Sequence, residues 1–494
     1  MKEIKEKLEF TTRLKEECGI FAIYNHTDAA TLTTLGLHSL QHRGQEAVGI
    51  VTFDENQFHS EKFIGLVGDN FSDPKTIERL KGKNAIGHVR YSTTGDTITR
   101  NIQPLFADIG TGGLSLAHNG NLTNAVTLRK ELVKNGSIFQ STTDTETIVH
   151  LIATSAYKKF IDRFIDALKK VEGAYSLVAL TNEQLIAARD PYGVRPLVMG
   201  TLNNSTVFAS ETVALDIIGA KFERDVLPGE IVIVDKNKTT SLMPFLQKKP
   251  KFCIFEYVYF ARPDSILEKL NVYGVRKKIG AELAKESHVD ADLVVAVPDS
   301  GTPAAIGYAN QINLPFELGI IRNHYIGRTF IEPTQKIRHL GVKLKHNANN
   351  FEIKNKRVIL IDDSIVRGTT SKKIVEMIKS SGAKEVHMRI ASPPTKNSCF
   401  YGVDTPEKKD LMAANNDVEQ IRKIIGADTL SFISMDGLYR AIIKTNRDNK
   451  EPQYCDACFS SKYPINILDY NGERKTSQLS LLREFSEKNK KYGA

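Results

Sequence analysis

An unbroken apolar run, Val358-Ile359-Leu360-Ile361, ends in two adjacent acids, Asp362 and Asp363, and constrains this chain more than any other feature. Four apolar residues without polar alternation suit a strand covered on both faces, as in a parallel sheet. After the acids come Ser364, Ile365, Val366, Arg367 and Gly368, then the hydroxyl run Thr369, Thr370 and Ser371, with a helix predicted from about 371. Adjacent carboxylates at a buried strand end are costly unless hydroxyls or a cation engage them. Gly368 lets the backbone approach an anion, and the free N–H groups of a helix start favour phosphate. A ribose 5-phosphate satisfies both demands, with its phosphate on the loop and its hydroxyls on the acids. The rhythm recurs nearby. Residues 292–297 predict a strand, 304–309 a helix and 385–390 a further strand, with Pro298, Asp299, Ser300, Gly301 and Thr302 in the loop between the first two. Such repeats build a parallel sheet with ligands at the carboxyl ends of its strands.

The first half has a different texture. Segments 19–24, 85–91, 114–118, 174–180, 184–188 and 230–234 predict strands, and 29–41, 144–156 and 163–172 predict helices. Strands outnumber helices and follow closely, as in a layered sheet domain flanked by helices. The polar, lysine-rich stretch 235–251 reads as a linker. A chain of 494 residues has room for two or three domains.

The stretch 358–371 resembles the phosphoribosyl pyrophosphate (PRPP) loop of type I phosphoribosyltransferases. The resemblance implies that Asp362, Asp363, Ser364, Arg367, Gly368, Thr369 and Thr370 hold PRPP, and that Asp299 and Ser300 lie on its pyrophosphate side. It also implies Mg²⁺ near Ser300, Asp362 and Asp363. Residues 322–346 look like that family's hood. They carry Arg322, Arg328, Lys336, Arg338, Lys343 and Lys345 against one acid, Glu332. A long basic loop of this kind suits a functional lid that keeps water from an activated ribose.

A second set of motifs lies earlier: Cys18-Gly19-Ile20-Phe21, then residues 36–46 around His42-Arg43-Gly44, then His88-Val89-Arg90-Tyr91-Ser92-Thr93. His118-Asn119-Gly120-Asn121, Thr143-Asp144-Thr145-Glu146, Asp190-Pro191-Tyr192-Gly193 and Pro228-Gly229-Glu230 follow. In this order they resemble the glutaminase domain of the N-terminal-nucleophile amidotransferases. A thiol attacking the glutamine amide needs a base. If Cys18 is the first residue of the mature chain, its own α-amine, with an unperturbed pKa of ~7.7–8.0, can serve. Residues 1–17, with five basic and five acidic side chains, therefore read as a propeptide. The resemblance assigns the oxyanion donors to the Asn119 side-chain amide and the Gly120 N–H. It assigns the glutamine carboxylate to Arg90 and the ammonium to Asp144, where the charges are of the right sign.

Five cysteines are present, and one of them is Cys18. Cys455-Asp456-Ala457-Cys458, with Cys253 and Cys399, could hold zinc, an iron–sulfur cluster or nothing; spacing alone leaves this open. The contexts Phe252-Cys253-Ile254-Phe255-Glu256-Tyr257 and Ser398-Cys399-Phe400-Tyr401-Gly402 resemble the iron–sulfur branch of the glutamine PRPP amidotransferases. That branch implies a [4Fe–4S] cluster on Cys253, Cys399, Cys455 and Cys458.

The whole resemblance implies an α+β glutaminase domain of αββα layers over 18–248 and an α/β phosphoribosyltransferase domain with a parallel sheet over 249–470. Residues 471–494 would be a charged helix or tail. The implied reaction consumes glutamine, PRPP and water. Purine nucleotides are expected as feedback inhibitors and a homotetramer as the assembly. A net charge of +9 fits phosphorylated substrates or nucleic acid equally. No helix-turn-helix or zinc-finger spacing supports nucleic acid, and no apolar run approaches the roughly 18–20 residues of a membrane span. A cytoplasmic enzyme is expected. Two rivals stand beside it. A PRPP-sensing nucleic-acid-binding regulator leaves the glutaminase motifs unexplained. A glutaminase joined to sugar-phosphate amination or asparagine synthesis leaves 362–370 unexplained.

Overall fold

The computed structural model describes residues 18–91, 98–323 and 346–469. The expected propeptide, Ser92 and Thr93, most of the basic loop (324–345) and the C-terminal tail lie outside the described residues. Two antiparallel sheets stack in the first unit. The seven-stranded sheet runs Lys221–Asp225, Val198–Leu202, Ser205–Ala209, Gly19–Tyr24, Asn84–Arg90, Ala47–Phe53, Phe58–Ile64. The six-stranded sheet runs Thr239–Leu242, Ile231–Val234, Leu185–Arg189, Gly173–Thr181, Gly112–Leu122, Leu105–Ile109.

Alternation along single strands explains the layering. Ile20 and Ala22 pack with Ala117, Val178, Leu180 and Ala187 between the sheets. Their neighbours Phe21 and Ile23 pack with Leu37 and Leu40, at and just beyond the end of the helix Ala29–Ser39. On the far sheet, Leu177, Ala179, Ile186 and Ala188 meet Ile148, Ile152, Phe164 and Leu168. These last four belong to the helices Thr145–Thr154 and Phe160–Lys170. The order helix, sheet, sheet, helix is the αββα arrangement expected. The linker expectation for 235–251 needs correction, because Thr239–Leu242 is the edge strand of the second sheet, with Thr239 opposite Val234. Three of its four residues are hydroxylic and its surface is open, so it carries no apolar signal of a strand.

The second unit holds an all-parallel sheet, ordered Phe316–Glu317, Leu293–Ala296, Arg357–Asp362, Glu385–Ile390, Thr429–Phe432. Val358 and Leu360 pack with Ile374 and Ile378 of the helix Thr369–Ser380. Ile359 and Ile361 pack with Ala304 and Ala305 of the helix Thr302–Ile312 on the opposite face. The apolar run is thus covered on both sides.

The halves do not meet across a thin linker. One continuous core contains Phe21, Leu37 and Val89 together with Phe252, Ile254, Tyr257 and Leu438. Each such buried side chain contributes roughly 1.5–3 kcal/mol, so this seam binds the two units firmly. The chain then returns: Asp469 accepts hydrogen bonds from the Val126 and Thr127 N–H groups at the start of the helix Ala125–Lys134. Among the described residues no helix is long and apolar enough to cross a membrane.

Candidate active site

Cys18 immediately precedes the strand Gly19–Tyr24, with its thiol donating to the Tyr91 carbonyl at 3.4 Å. Burial pushes this thiol up, while Arg90 and the Tyr91 hydrogen bond pull the other way. Asp144 and Glu46 add to the upward shift. Arg90 ends the adjacent strand and donates to the Asn101 carbonyl at 3.1 Å. Asn101 in turn exchanges hydrogen bonds with Thr142, at 2.8 Å from its amide and 2.9 Å to its oxygen. This joins Arg90 to the segment that carries Asp144. Asp144 accepts the Leu122 N–H at 2.9 Å. His118 lies 3.8 Å from it, but burial holds that imidazole down and neutral at pH 7.

Asn119 and Gly120 lie on the strand Gly112–Leu122, opposite Ser176 and Tyr175. The Asn119 amide reaches Ser210 only at 3.5 Å, the outer limit of a hydrogen bond, so it can turn to a better acceptor. Gly120 has φ +146°, and a Cβ there would fall 2.0 Å from the Ala174 carbonyl oxygen. Only glycine fits.

The ribose-side residues gather at the carboxyl ends of two neighbouring parallel strands, Leu293–Ala296 and Arg357–Asp362. Ser300 donates to Asp363 at 2.5 Å, and Ser364 donates to its other oxygen at 2.6 Å. The Asp363 N–H donates to Asp362 at 3.0 Å. Hydroxyls therefore engage Asp363, one of the two acids, while Asp362 accepts a backbone N–H. Gly368 takes φ +72° immediately before the helix Thr369–Ser380. The buried Arg367 Nε has no hydrogen-bond partner among the described residues, which leaves a cationic donor on the loop. Asp299 is more open and pairs with Arg322.

Arg276 escaped the sequence reading. It is buried, donates to the Tyr257 and Ala261 carbonyls at 2.8 Å, and supplies positive charge toward Asp363. Burial lowers it to about 10 despite that carboxylate. Nothing around residue 276 in the sequence signals this role, since an arginine on a helix is ordinarily solvated.

Four cysteines meet although the stretch from the first to the last spans 206 positions, both ends included. Cys253, Cys399, Cys455 and Cys458 line one small cavity, with Arg195, Phe255, Tyr401 and Tyr463. Backbone ties hold the walls: Ile254 N–H to the Cys455 carbonyl at 3.1 Å, and Cys455 N–H to the Phe252 carbonyl at 2.9 Å. Among the described residues no group of three or more Cys, His, Asp or Glu converges on a point that could hold a single metal ion. A tetrahedral zinc needs its sulfurs about 2.3 Å from one centre. Four thiols are the donor set of either a tetrahedral zinc or a [4Fe–4S] cluster.

The glutamine amidotransferase domain family matches residues 88–216, and the phosphoribosyl transferase domain family matches residues 271–409. An amidophosphoribosyltransferase of Rhizobium etli is 56% identical over 475 residues, covering 95% of this chain and 96% of its own. One from Bacillus subtilis is 47% identical, covering 92% and 95%. A solved structure of glutamine PRPP amidotransferase from B. subtilis, complexed with ADP and GMP, superposes with a TM-score of 0.87 at 45% identity, covering 92% of this chain and 99% of its own. With both domains matched in order and near full-length identity of this size, the chain belongs to the amidophosphoribosyltransferase family.

Proposed function

We propose that Cys18 hydrolyses glutamine in the first unit and that the ammonia released aminates PRPP in the second. The overall reaction is glutamine + PRPP + water → 5-phosphoribosylamine + glutamate + pyrophosphate, the opening step of purine (IMP) biosynthesis. One observation carries the glutamine half: Cys18 and Arg90 adjoin at the ends of two paired strands, and Arg90 is tied through Asn101 and Thr142 to the segment that carries Asp144, of opposite charge. An α-amino acid brings a carboxylate and an ammonium, and those two side chains match them. The thiol attacks the amide carbon, and the oxyanion that forms is met by the Asn119 amide and the Gly120 N–H. Burial keeps the thiol protonated, so a base must take its proton. Removal of residues 1–17 would expose the Cys18 α-amine for that task.

On the ribose side, Asp362 and Asp363 hold the sugar hydroxyls, and Ser364, Arg367, Gly368, Thr369 and Thr370 receive the 5-phosphate. Asp299 and Ser300 face the pyrophosphate. Ser300, Asp362 and Asp363 are hard oxygen donors that fit Mg²⁺, which when bound neutralises the leaving pyrophosphate. Ammonia lost to bulk water would be protonated, so a sheltered passage between the sites belongs to this reading. The inhibitors are purine nucleotides, supported by the ADP and GMP of the solved B. subtilis relative. A homotetramer in the cytoplasm completes the proposal, with neither nucleic acid nor membrane as partner.

The test is pyrophosphate release. Purified protein with PRPP and Mg²⁺ should release it only when glutamine or ammonia is supplied. Release without either nitrogen donor, or none with both, would remove the reading.

We propose also that Cys253, Cys399, Cys455 and Cys458 hold a structural [4Fe–4S] cluster, since the donor set is all thiol and surrounds one cavity. Anaerobically prepared protein should contain four irons per chain. Oxygen should then remove brown absorbance, activity and protease resistance together, because the cluster closes a very long loop. Zinc in place of iron, or full activity after complete loss of iron, would refute the assignment.

A further inference from the structure

The four-thiol cavity lies directly behind the glutamine site. Residues 399–403 run between them and touch both. Cys399, Tyr401 and Val403 line the cavity. Between them, the Phe400 carbonyl accepts from the Asn121 amide at 3.0 Å. Gly402 lies against Gly120, so closely that a Cβ would stand 3.1 Å from the Gly120 Cα. Asn121 and Gly120 are on the strand that carries the oxyanion donors.

A second connection runs through charge. The Glu256 N–H donates to the Cys253 carbonyl at 3.2 Å, and its carboxylate is fully buried. That carboxylate meets Arg195, which lines the cavity, at 3.4 Å, and Arg43 at 2.8 and 3.1 Å. Arg43 in turn donates to the Cys18 carbonyl at 3.3 Å and to Glu211 at 2.6 Å. Buried ion pairs of this kind add little net stability over apolar packing, but breaking one strands a charge. They are well suited to fixing position.

We propose that Glu256 and Asn121 are positioning residues for the glutamine half-reaction, coupling the cavity wall to the Cys18 carbonyl and to the oxyanion strand. The proposal rests on the reading of Cys18 as the nucleophile and of the cavity as the cluster site. These hydrogen bonds run to the Cys18 carbonyl and to the oxyanion strand, so the loss is expected with glutamine rather than with ammonia. Glu256 also acts on Arg276, which faces Asp363, so Asn121 gives the cleaner comparison. A shift of about 1 Å between nucleophile and oxyanion donors can cost on the order of 10²-fold in rate.

The experiment compares Glu256→Gln, Glu256→Asp and Asn121→Ala with the parent protein, all prepared anaerobically. Iron per chain, ammonia-dependent and glutamine-dependent kinetics, and the rate of Cys18 alkylation by iodoacetamide are measured. Glu256→Gln and Asn121→Ala should keep full iron and ammonia-dependent activity within about twofold. Their glutamine-dependent kcat should fall about 10–100-fold, with a smaller change in KM and altered Cys18 alkylation. Glu256→Asp should recover part of the loss. Equal loss with both donors in iron-replete Asn121→Ala protein, or unchanged glutamine kinetics in both non-conservative variants, overturns the proposal. Absence of iron from the parent protein would instead overturn the cluster reading, and the donor selectivity of the variants would still decide the positioning roles.

Discussion

Replacing Cys18 with serine is expected to reduce glutamine-dependent phosphoribosylamine synthesis by on the order of 10⁴-fold or more, because the nucleophile is lost. Ammonia-dependent synthesis should stay within about twofold of the parent, since ammonia added directly needs no thiol. The substitution should be quiet for folding. The serine hydroxyl can donate to the Tyr91 carbonyl as the thiol does, so no buried donor is stranded. The ribose residues hang from a different sheet, at the ends of Leu293–Ala296 and Arg357–Asp362. Blocking removal of residues 1–17 should produce the same donor-selective loss, by denying Cys18 its α-amine. Steady-state rates with each donor decide the matter. Comparable loss of both activities in well-folded Cys18→Ser protein would sink this division of labour.

Asp362→Asn and Asp363→Asn should have the opposite signature, weakening PRPP use with glutamine and ammonia alike. A loss of about 10²–10³-fold in kcat/KM for PRPP is expected, with a raised Mg²⁺ requirement, because a carboxylate partner of the ribose hydroxyls and the metal is gone. Asp363 carries the larger structural burden. It accepts from both Ser300 and Ser364, and it supplies counter-charge to the buried Arg276. Its neutralisation leaves that guanidinium less compensated, so a fall in thermal stability should accompany the kinetic loss. Mg²⁺ and PRPP titrations with each donor provide the measurement. Unchanged dependence in both variants would show that the loop after Ile361 has another task.

Much of the chemistry was legible locally. Asp362 and Asp363 stand at the end of an apolar run, and Gly368 precedes a hydroxyl-rich helix start, so charge, backbone freedom and N–H donors are all written within a dozen residues. Two largely buried strands also announce themselves: Gly19–Tyr24 and Glu385–Ile390 begin and end where their apolar content predicts, although Ala47–Phe53, buried throughout, was not predicted. Half-exposed strands do not. Phe58–Ile64 and Lys221–Asp225 are polar enough to pass for turns, and Thr239–Leu242 passed for a linker. Each is a strand because a neighbour pairs with it, not because its own residues insist on it.

The arrangement of the parts was beyond any local reading. Cys253 and Cys399 are far in sequence from Cys18, and no local spacing places the thiols beside the glutamine chemistry. The structure brings the Asn121 amide to the Phe400 carbonyl across 279 positions, and Arg43 to Glu256 across 213. Arg43, Glu256, Asn101 and Arg276 are ordinary polar residues in the sequence; each acquires a role only when burial removes water and leaves a particular partner in reach. Residue types and short spacings determine which reactions are chemically available, because those depend on groups a few bonds apart. Which groups share a wall depends on packing between distant segments, and only the tertiary structure decides it.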